Sequence, residues 1–222
     1  MKKALSIIMS ICLTVGLIQI QTNNAGAATI YTSGNYSYTV NDDKATIEKY
    51  NGTEDSVKIP DTIDGYSVEK IGSAAFKNCK TITSIEIPET VVEIGAYAFE
   101  NTSLDKLELP SKIEKLGTGI IYGNTKIKSV IIPNTIKSMT DYTVSHSEGA
   151  LCGSGVTELV FEEGLKEIPY GAMNNMGKLE KVTIPYGVTR IGDYALKNCQ
   201  AITNIEIPET VVEIGAYAFE NT

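Results

Sequence analysis

Short apolar segments of the form apolar-x-apolar-Pro recur along most of the chain. One of them, Ile85-Glu-Ile-Pro88, opens an 18-residue stretch that returns without change as Ile205 to Thr222. Five further segments follow the same pattern, although one, Leu159-Val-Phe-Glu162, has lost its proline. The seven segments begin at residues 57, 85, 107, 130, 159, 182 and 205, and we call the units that they open repeats 1 to 7. Self-similarity with a period of about 23 residues predicts a stacked repeat architecture rather than a globular domain.

Each repeat continues in the same way after its proline. In repeat 2 two apolar residues spaced by three precede a glycine (Val91, Ile94, Gly95), and a small residue then precedes a large one (Ala98-Phe99). So short a strand cannot bury its apolar side alone, which predicts that the strands stack into one parallel sheet with the other apolar positions as a continuous core behind it. The proline is expected to end each strand, and the glycine to permit a tight turn with positive φ.

The combined pattern I-x-I-P-x-x-V-x-x-I-G-x-x-A-F resembles the BspA-like, or treponemal-type, leucine-rich repeat of bacterial surface proteins. The resemblance covers residues 57–222, and repeat 5 departs from it at Glu162 and Pro169, as does repeat 3 at Ile120-Ile121. It implies a leucine-rich repeat solenoid with a parallel β-sheet on one face and short irregular or helical turns on the other. It also implies a role at the cell surface, since similar proteins are implicated in adhesion.

Two segments precede the repeats. Residues 1–27 combine a basic start, an apolar run and the small-x-small sequence Ala25-Gly26-Ala27, which predicts a cleaved signal peptide, with an uncleaved membrane anchor as the alternative. The mature chain is therefore expected to be secreted or displayed at the cell surface, without membrane insertion. Residues 28–56 alternate apolar and polar positions on both sides of Asn41 to Lys44, which predicts a β-hairpin cap over the open first edge of the sheet.

The composition narrows the partners. A net charge of −8 makes nucleic acid an improbable ligand, since phosphate binding needs clustered Lys and Arg, and a single histidine excludes most metal sites. We expect no metal or cofactor. Cys79 and Cys199 occupy equivalent places five repeats apart, about 24 Å at ~4.8 Å per strand, far beyond the ~7 Å that a disulfide spans. Together with Cys152 they are expected to be separate thiols, with a reactive or intermolecular thiol as the alternative.

Catalytic chemistry has two weak candidates. An insert in repeat 4 places Asp141, His146 and Glu148 before Cys152, which would allow a Cys–His nucleophile pair, although a solvated loop explains the insert equally. Glu86 and Glu108 occupy matching positions in neighbouring repeats and would form an acid pair, but repetition alone accounts for them. We therefore expect no enzymatic activity.

A binding face is the better hypothesis. Side chains alternate across a strand, so the middle residue of each apolar-x-apolar triplet is expected to point away from the core. Among them Ile131 and Val160 are neighbouring β-branched residues, which favours an interaction patch; ordinary strand propensity, or cover by the insert of repeat 4, is the alternative. The predicted partner-binding face consists of Lys58, Glu86, Glu108, Ile131, Val160, Thr183 and Glu206.

These features predict a secreted or surface-displayed repeat protein that binds a protein partner, such as a host surface or matrix protein. Two alternatives stay open: an accessory stalk of a larger exported enzyme or anchored protein, and a glycan-binding module that uses Tyr97, Tyr194 and Tyr217. The final repeat lacks the closing apolar residue that follows its internal copy, Leu104. The chain is therefore expected to be a fragment of a longer protein, or else to self-associate through an uncapped C-terminal repeat.

Overall fold

The structure is a computed structural model that describes residues 28–140 and 148–222. These ranges contain fifteen strands and no helix, so the turns between strands are irregular rather than helical. The predicted signal peptide lies outside the described residues. The strands are β1 (Tyr31–Ser33), β2 (Tyr36–Asn41), β3 (Lys44–Tyr50), β4 (Ser56–Lys58), β5 (Thr62–Ile63), β6 (Tyr66–Ile71), β7 (Ser84–Glu86), β8 (Glu93–Ile94), β9 (Lys115–Leu116), β10 (Ser129–Ile132), β11 (Glu158–Phe161), β12 (Glu167–Ile168), β13 (Lys181–Thr183), β14 (Arg190–Ile191) and β15 (Glu213–Ile214).

Strands of successive repeats pair in parallel along two ladders. The proline ladder consists of the strands that lead into the repeat prolines or their equivalent, β4–β7 and β10–β11–β13, and is interrupted at repeat 3. The glycine ladder consists of the strands that precede the repeat glycine or its equivalent, β6–β8–β9 and β12–β14–β15. The expectation of a single parallel sheet was therefore wrong. The residues before the repeat glycine or its equivalent form a second, two-residue strand in repeats 2, 3, 5, 6 and 7, whereas repeat 4 makes only an isolated bridge through Ser138.

The core runs between the two ladders without a break along the described repeats. In repeat 2 both Ile94 and Phe99 are fully buried, as the apolar pattern predicts. Aromatic rings of successive turns contact one another, with ring centroids 5.1 Å apart for Tyr50 and Phe76 and 5.4 Å apart for Phe76 and Phe99. Because each repeat covers the apolar side of its neighbour, the stack forms one core that no single repeat has alone.

The repeat glycine is required by close approach of backbones rather than by its own φ. A Cβ on Gly95 would lie 2.6 Å from the Ser73 nitrogen, and one on Gly117 would lie 2.4 Å from the Ala96 nitrogen. The positive φ values occur two and six residues later, at Tyr97 (57°) and Asn101 (54°) in repeat 2. The predicted positive-φ glycine turn was therefore wrong, and the left-handed positions are filled by residues that the pattern leaves variable.

The N-terminal segment forms an antiparallel sheet of three strands, β1–β2–β3, rather than a two-stranded hairpin. Strand β3 then pairs in parallel with β6, so the strands of this cap continue the glycine ladder, and the cap reaches the first strand of the proline ladder through Tyr36, whose hydroxyl donates to the carbonyl oxygen of Lys58 on β4 at 3.2 Å. The insert of repeat 1 holds the cap in place. Asp64 accepts hydrogen bonds from the hydroxyls of Ser33 (2.9 Å) and Tyr38 (2.7 Å).

Candidate partner-binding face

The outer surface of the proline ladder holds the predicted face. In strand β10 Val130 and Ile132 are buried while Ile131 between them is 55% exposed, the alternation expected for a half-buried strand. Strands β10 and β11 pair over four residues, which places Ile131 directly beside Val160. Val160 in turn pairs with Thr183 on β13. Three uncharged, β-branched side chains thus lie in one row across three paired strands.

Charged residues flank this row as ion pairs. Lys181 contacts Glu158 at 2.7 Å on the neighbouring positions of β13 and β11. Farther along the ladder, Lys58 contacts Glu86 at 2.5 Å, where β4 pairs with β7. Because both charges of each pair are satisfied locally, the face has an uncharged centre and a rim of compensated charge.

The structure does not bring all seven predicted residues into one sheet. Glu108 is exposed in the strand-free part of repeat 3, where it contacts Lys106 at 2.8 Å. Glu206 is also exposed and lies outside any strand. Val160 is half-buried rather than fully exposed. The insert residues 141–147, which the alternative interpretation placed over this patch, lie outside the described residues. A partner-binding role for the face stays a prediction.

The environment of the Cys152 thiol does not favour the predicted Cys–His nucleophile pair. Asp141 and His146 lie outside the described residues, but Cys152 itself is only 2% exposed. Burial, together with the charge of Glu148, whose carboxylate oxygen lies 3.4 Å from Sγ, raises the pKa of the Cys152 thiol well above its ordinary value. A nucleophilic cysteine needs a lowered pKa and an electropositive, accessible setting, which is the opposite of this environment.

The proposed acid pair is divided between two lysines. Glu86 is bound by Lys58 and Glu108 by Lys106, and all four side chains are exposed. Both residues line one open cleft of about 350 Å³, where each carboxylate forms an ion pair with its own lysine. Repetition of the pattern is sufficient to explain both residues.

The three thiols of the described residues are free, as the spacing predicts. Cys199 is fully buried, and its Sγ donates to the carbonyl oxygen of Met173 at 3.1 Å. In the equivalent place of repeat 2 the hydroxyl of Thr102 donates to the carbonyl oxygen of Phe99 at 3.0 Å. Burial raises the pKa of the Cys199 thiol to about 12. The Cys199 thiol therefore acts as a small buried donor that joins its turn to the preceding repeat, whereas the Thr102 hydroxyl bonds within its own turn.

The turn tyrosines differ in exposure, since Tyr97 and Tyr194 are half-buried and Tyr217 is 59% exposed. Tyr194 and Tyr217 stack on each other with centroids 5.1 Å apart, and the ammonium group of Lys197 lies 5.2 Å and 5.9 Å from the two centroids. Tyr97 meets the edge of Tyr122 at 6.2 Å. Sugar rings bind to aromatic faces, and of these three tyrosines Tyr217 has the most exposed side chain, so glycan binding stays a prediction.

The sequence reasoning missed a cleft between repeats 4 and 5 on the side of the glycine ladder. Its volume is about 620 Å³, Ile136, Leu165 and Pro169 are among the apolar residues that line it, and Lys166 and Arg190 are among the charged ones. The signals in the sequence are Thr140 and Pro169, which replace the repeat glycine in repeats 4 and 5.

Two ladders of short parallel strands, repeated about every 23 residues around one core, define a leucine-rich repeat protein. The family described as BspA type Leucine rich repeat region matches residues 50–151 and 147–222 in six copies, so the chain belongs to this family and the resemblance seen in the sequence is confirmed.

Solved structures agree with this assignment. A leucine rich cell surface protein from Faecalibacterium prausnitzii is 32% identical, with a TM-score of 0.65 over 86% of this chain and 52% of that one. A leucine-rich repeat protein from Eubacterium ventriosum (22% identity, TM-score 0.60, 86% and 49% coverage) and the Leucine Rich Repeat protein of T. pallidum (19%, 0.57, 77% and 89%) share the fold. The chain thus spans about half the length of the first two structures. No curated protein matched the chain.

Proposed function

We propose that the chain is a secreted or surface-displayed repeat protein that binds a protein partner through the outer face of β10, β11 and β13. The observation that carries this proposal is the row formed by Ile131, Val160 and Thr183, in which Ile131 is 55% exposed on β10, the edge strand of its sheet, which pairs with β11 over four residues. An apolar centre with a charged, solvated rim is the arrangement that protein interfaces share.

The binding free energy expected from burying this row is modest. Full burial of one aliphatic side chain contributes about 1.5–3 kcal/mol, and Ile131 retains roughly half of that to gain. The backbone beneath it is held by four paired positions, so little ordering cost accompanies contact. The row therefore suits an anchor point within a larger interface.

Cell-surface display is supported by two independent features. The related Faecalibacterium structure is described as a cell surface protein, and residues 1–27 carry the signal-peptide pattern. Within residues 28–140 and 148–222, no helix has the length and apolar character needed to span a bilayer. Adhesion to a host or neighbouring cell is the specific form of binding that we propose.

Photo-crosslinking tests the face directly. A photoreactive phenylalanine analogue placed at Ile131 of the chain 28–222 is expected to crosslink a protein on cultured epithelial cells or co-cultured bacteria. The same analogue at Val212, which is 85% exposed but lies far along the stack in repeat 7, serves as the matched control. Unlabelled chain should compete for the crosslink, whereas the Ile131→Lys, Val160→Lys double variant should not.

Two outcomes would count against the proposal. Equal crosslinking from positions 131 and 212 would mean that contact is nonspecific. Full competition by the double variant would mean that the partner binds elsewhere, provided that its melting temperature matches that of the unmodified chain. Because Ile131 is exposed but Val160 is half-buried in a paired strand, the double variant is expected to lower the free energy of unfolding by about 1 kcal/mol at most.

A further inference from the structure

The cap is joined to repeat 1 by residues 51–55, a segment that opens with Asn51-Gly52, the only asparagine–glycine pair in the sequence. Strand β3 ends at Tyr50 and β4 begins at Ser56, so the pair lies in a connection without strand structure, and Asn51 is exposed there. In such a pair the backbone nitrogen of the glycine can attack the side-chain amide of the asparagine, because no Cβ shields that nitrogen.

The structure leaves room for no side chain at position 52. A Cβ there would overlap the hydroxyl of Tyr50 and the carboxylate of Glu54, which are hydrogen-bonded to each other. Tyr50 is 5% exposed and stacks on Phe76 with ring centroids 5.1 Å apart, so its ring has little space to move aside. Substitution of Gly52 would therefore disturb the cap, whereas the exposed side chain of Asn51 can be changed.

The reacting groups of the pair are available in the folded chain. Among the described residues the N–H of Gly52 forms no hydrogen bond, whereas the N–H of Asn51 donates to the carbonyl oxygen of Asn35 at 2.8 Å. The Asn51 side chain donates from Nδ2 to the hydroxyl oxygen of Ser37 at 3.2 Å, in an exposed setting. A hydrogen bond of this kind has a small net value, because water competes for both of its groups. The fold therefore restrains neither the attacking nitrogen nor the leaving amide strongly.

We propose that Asn51 is a site of spontaneous modification, at which deamidation loosens the β1–β2 turn from residues 51–55. The Gly52 nitrogen loses its proton to solvent and attacks Cγ of Asn51, so that an N–Cγ bond forms. The Cγ–Nδ2 bond then breaks, and the amide leaves as ammonia after taking a proton from solvent. Water opens the resulting succinimide at Cγ, which gives aspartate, or at the backbone carbonyl carbon, which gives isoaspartate. The net change is the gain of one water and the loss of one ammonia, with no oxidant or cofactor.

The product weakens the contacts that hold the β1–β2 turn. Asn35 lies in this turn, and its side-chain Nδ2 donates to the Glu54 carboxylate at 2.8 Å, while its carbonyl oxygen accepts the N–H of Asn51. Deamidation removes the donor to Ser37 and adds a negative charge to a segment that already carries Glu54. Isoaspartate also lengthens the main chain between the two groups that bind Asn35, which shifts them relative to each other. The turn is therefore expected to open more often.

Incubation of the folded chain 28–222 at pH 8, followed by digestion and mass spectrometry of the peptides, tests the site. We expect Asn51 to be converted at least about tenfold faster than any other asparagine of the chain. Asn204 is the matched control in the same molecule, because it is also exposed and outside any strand but is followed by isoleucine. Ammonia release should equal the sum of aspartate and isoaspartate, and enzymatic methylation identifies the isoaspartate. Conversion should be slower at pH 6, since the Gly52 nitrogen must lose its proton.

Two variants separate the site from its consequence. Asn51→Gln removes the reactive pair, so this chain should stay homogeneous during the same incubation. Asn51→Asp has the charge of the product but an unaltered main chain. Hydrogen exchange of the β1–β2 turn should be about fivefold faster in the incubated chain than in the fresh chain, as expected for the loss of one hydrogen bond. Asn51→Asp should show a smaller acceleration, and incubated Asn51→Gln should show none.

Faster conversion of another asparagine in the folded chain would overturn the site. So would a reaction of Asn51 that occurs in urea but not in the folded chain, because the fold would then protect the pair. Equal hydrogen exchange of the turn before and after conversion of Asn51 would overturn the loosening of the cap. The variants alter neither Ile131 nor Val160, so these results are independent of the proposed partner-binding face.

Discussion

Ile94 and Ile214 occupy the same position in two identical 18-residue sequences, which makes them a matched pair for measuring the value of stacking. Ile94 is flanked by Ile71 on one side and Leu116 on the other along the glycine ladder, and it is fully buried. Ile214 is flanked by Ile191 only and is 50% exposed. The local sequence is the same at both positions. A difference in the free energy of unfolding lost by Ile94→Ala and by Ile214→Ala therefore measures the contribution of the neighbouring repeat.

The two substitutions should differ clearly in cost. Truncating a fully buried isoleucine costs about 2–5 kcal/mol, because lost transfer free energy adds to the cavity that remains. At position 214 the side chain is half exposed, so Ile214→Ala loses about half of the ~1.5–3 kcal/mol that full burial of an aliphatic side chain contributes, and it opens no enclosed cavity. The expected loss in the free energy of unfolding is therefore about 1 kcal/mol. A difference of about 2 kcal/mol corresponds to roughly 1 M urea at an m value near 2 kcal/mol/M.

Urea unfolding of the chain 28–222, followed by the fluorescence of a tryptophan introduced into the same repeat as the substitution, since the chain has no tryptophan of its own, measures both costs. The reasoning is refuted if both variants lose the same stability. An equal loss that also depends on protein concentration would show that the outer side of repeat 7 is covered by a second molecule in solution, since only association makes stability depend on concentration.

Three further predictions concern single contacts. Gly95→Ala should cost about 1–3 kcal/mol in urea unfolding, because its Cβ would lie 2.6 Å from the Ser73 nitrogen, while Gly177→Ala, which meets no atom within 4 Å, should be neutral or slightly stabilising; equal effects would contradict the close-approach explanation. Asp64→Ala removes the acceptor for Ser33 and Tyr38 and places alanine at a φ of 48°, so hydrogen exchange in β1 and β2 should accelerate at least tenfold, the equivalent of about 1.4 kcal/mol, whereas Asp64→Asn, which tolerates this φ, should retain most of the protection. Iodoacetamide at pH 8 should modify Cys79 of the folded chain 28–222 before Cys152 or Cys199, since burial raises the pKa of both buried thiols and thereby lowers their thiolate fraction. Mass spectrometry reads the modification, labelling in urea is the control, and early modification of Cys199 would show that its turn opens.

Much of the architecture followed from local pattern. Alternation around Ile131 predicts which side chain of β10 is exposed, and the structure places Val130 and Ile132 in the core. The spacing that puts Phe99 one repeat after Phe76 predicts their contact across the stack. These features depend on the direction of a side chain relative to its own strand or turn, which a short sequence determines.

Features that depend on two backbones were not predictable in this way. The glycine pattern was visible, but its cause, a Cβ on Gly95 against the backbone of the preceding repeat, requires knowledge of how closely the coils stack. The second ladder was missed because two residues, such as Glu93 and Ile94, carry no strand signal until a neighbour pairs with them. The docking of the cap on β6 was missed for the same reason.

The identical copies 85–102 and 205–222 separate the two kinds of information most clearly. By itself the sequence determined that both would build the same strand, turn and apolar side, since they share every residue. Only the tertiary structure decided that Ile94 is buried while Ile214 is half exposed, and that the glycine ladder is divided between β9 and β12. The physical reason is that the apolar pattern specifies which side of a repeat needs cover, whereas burial and hydrogen bonding depend on the repeat stacked against it.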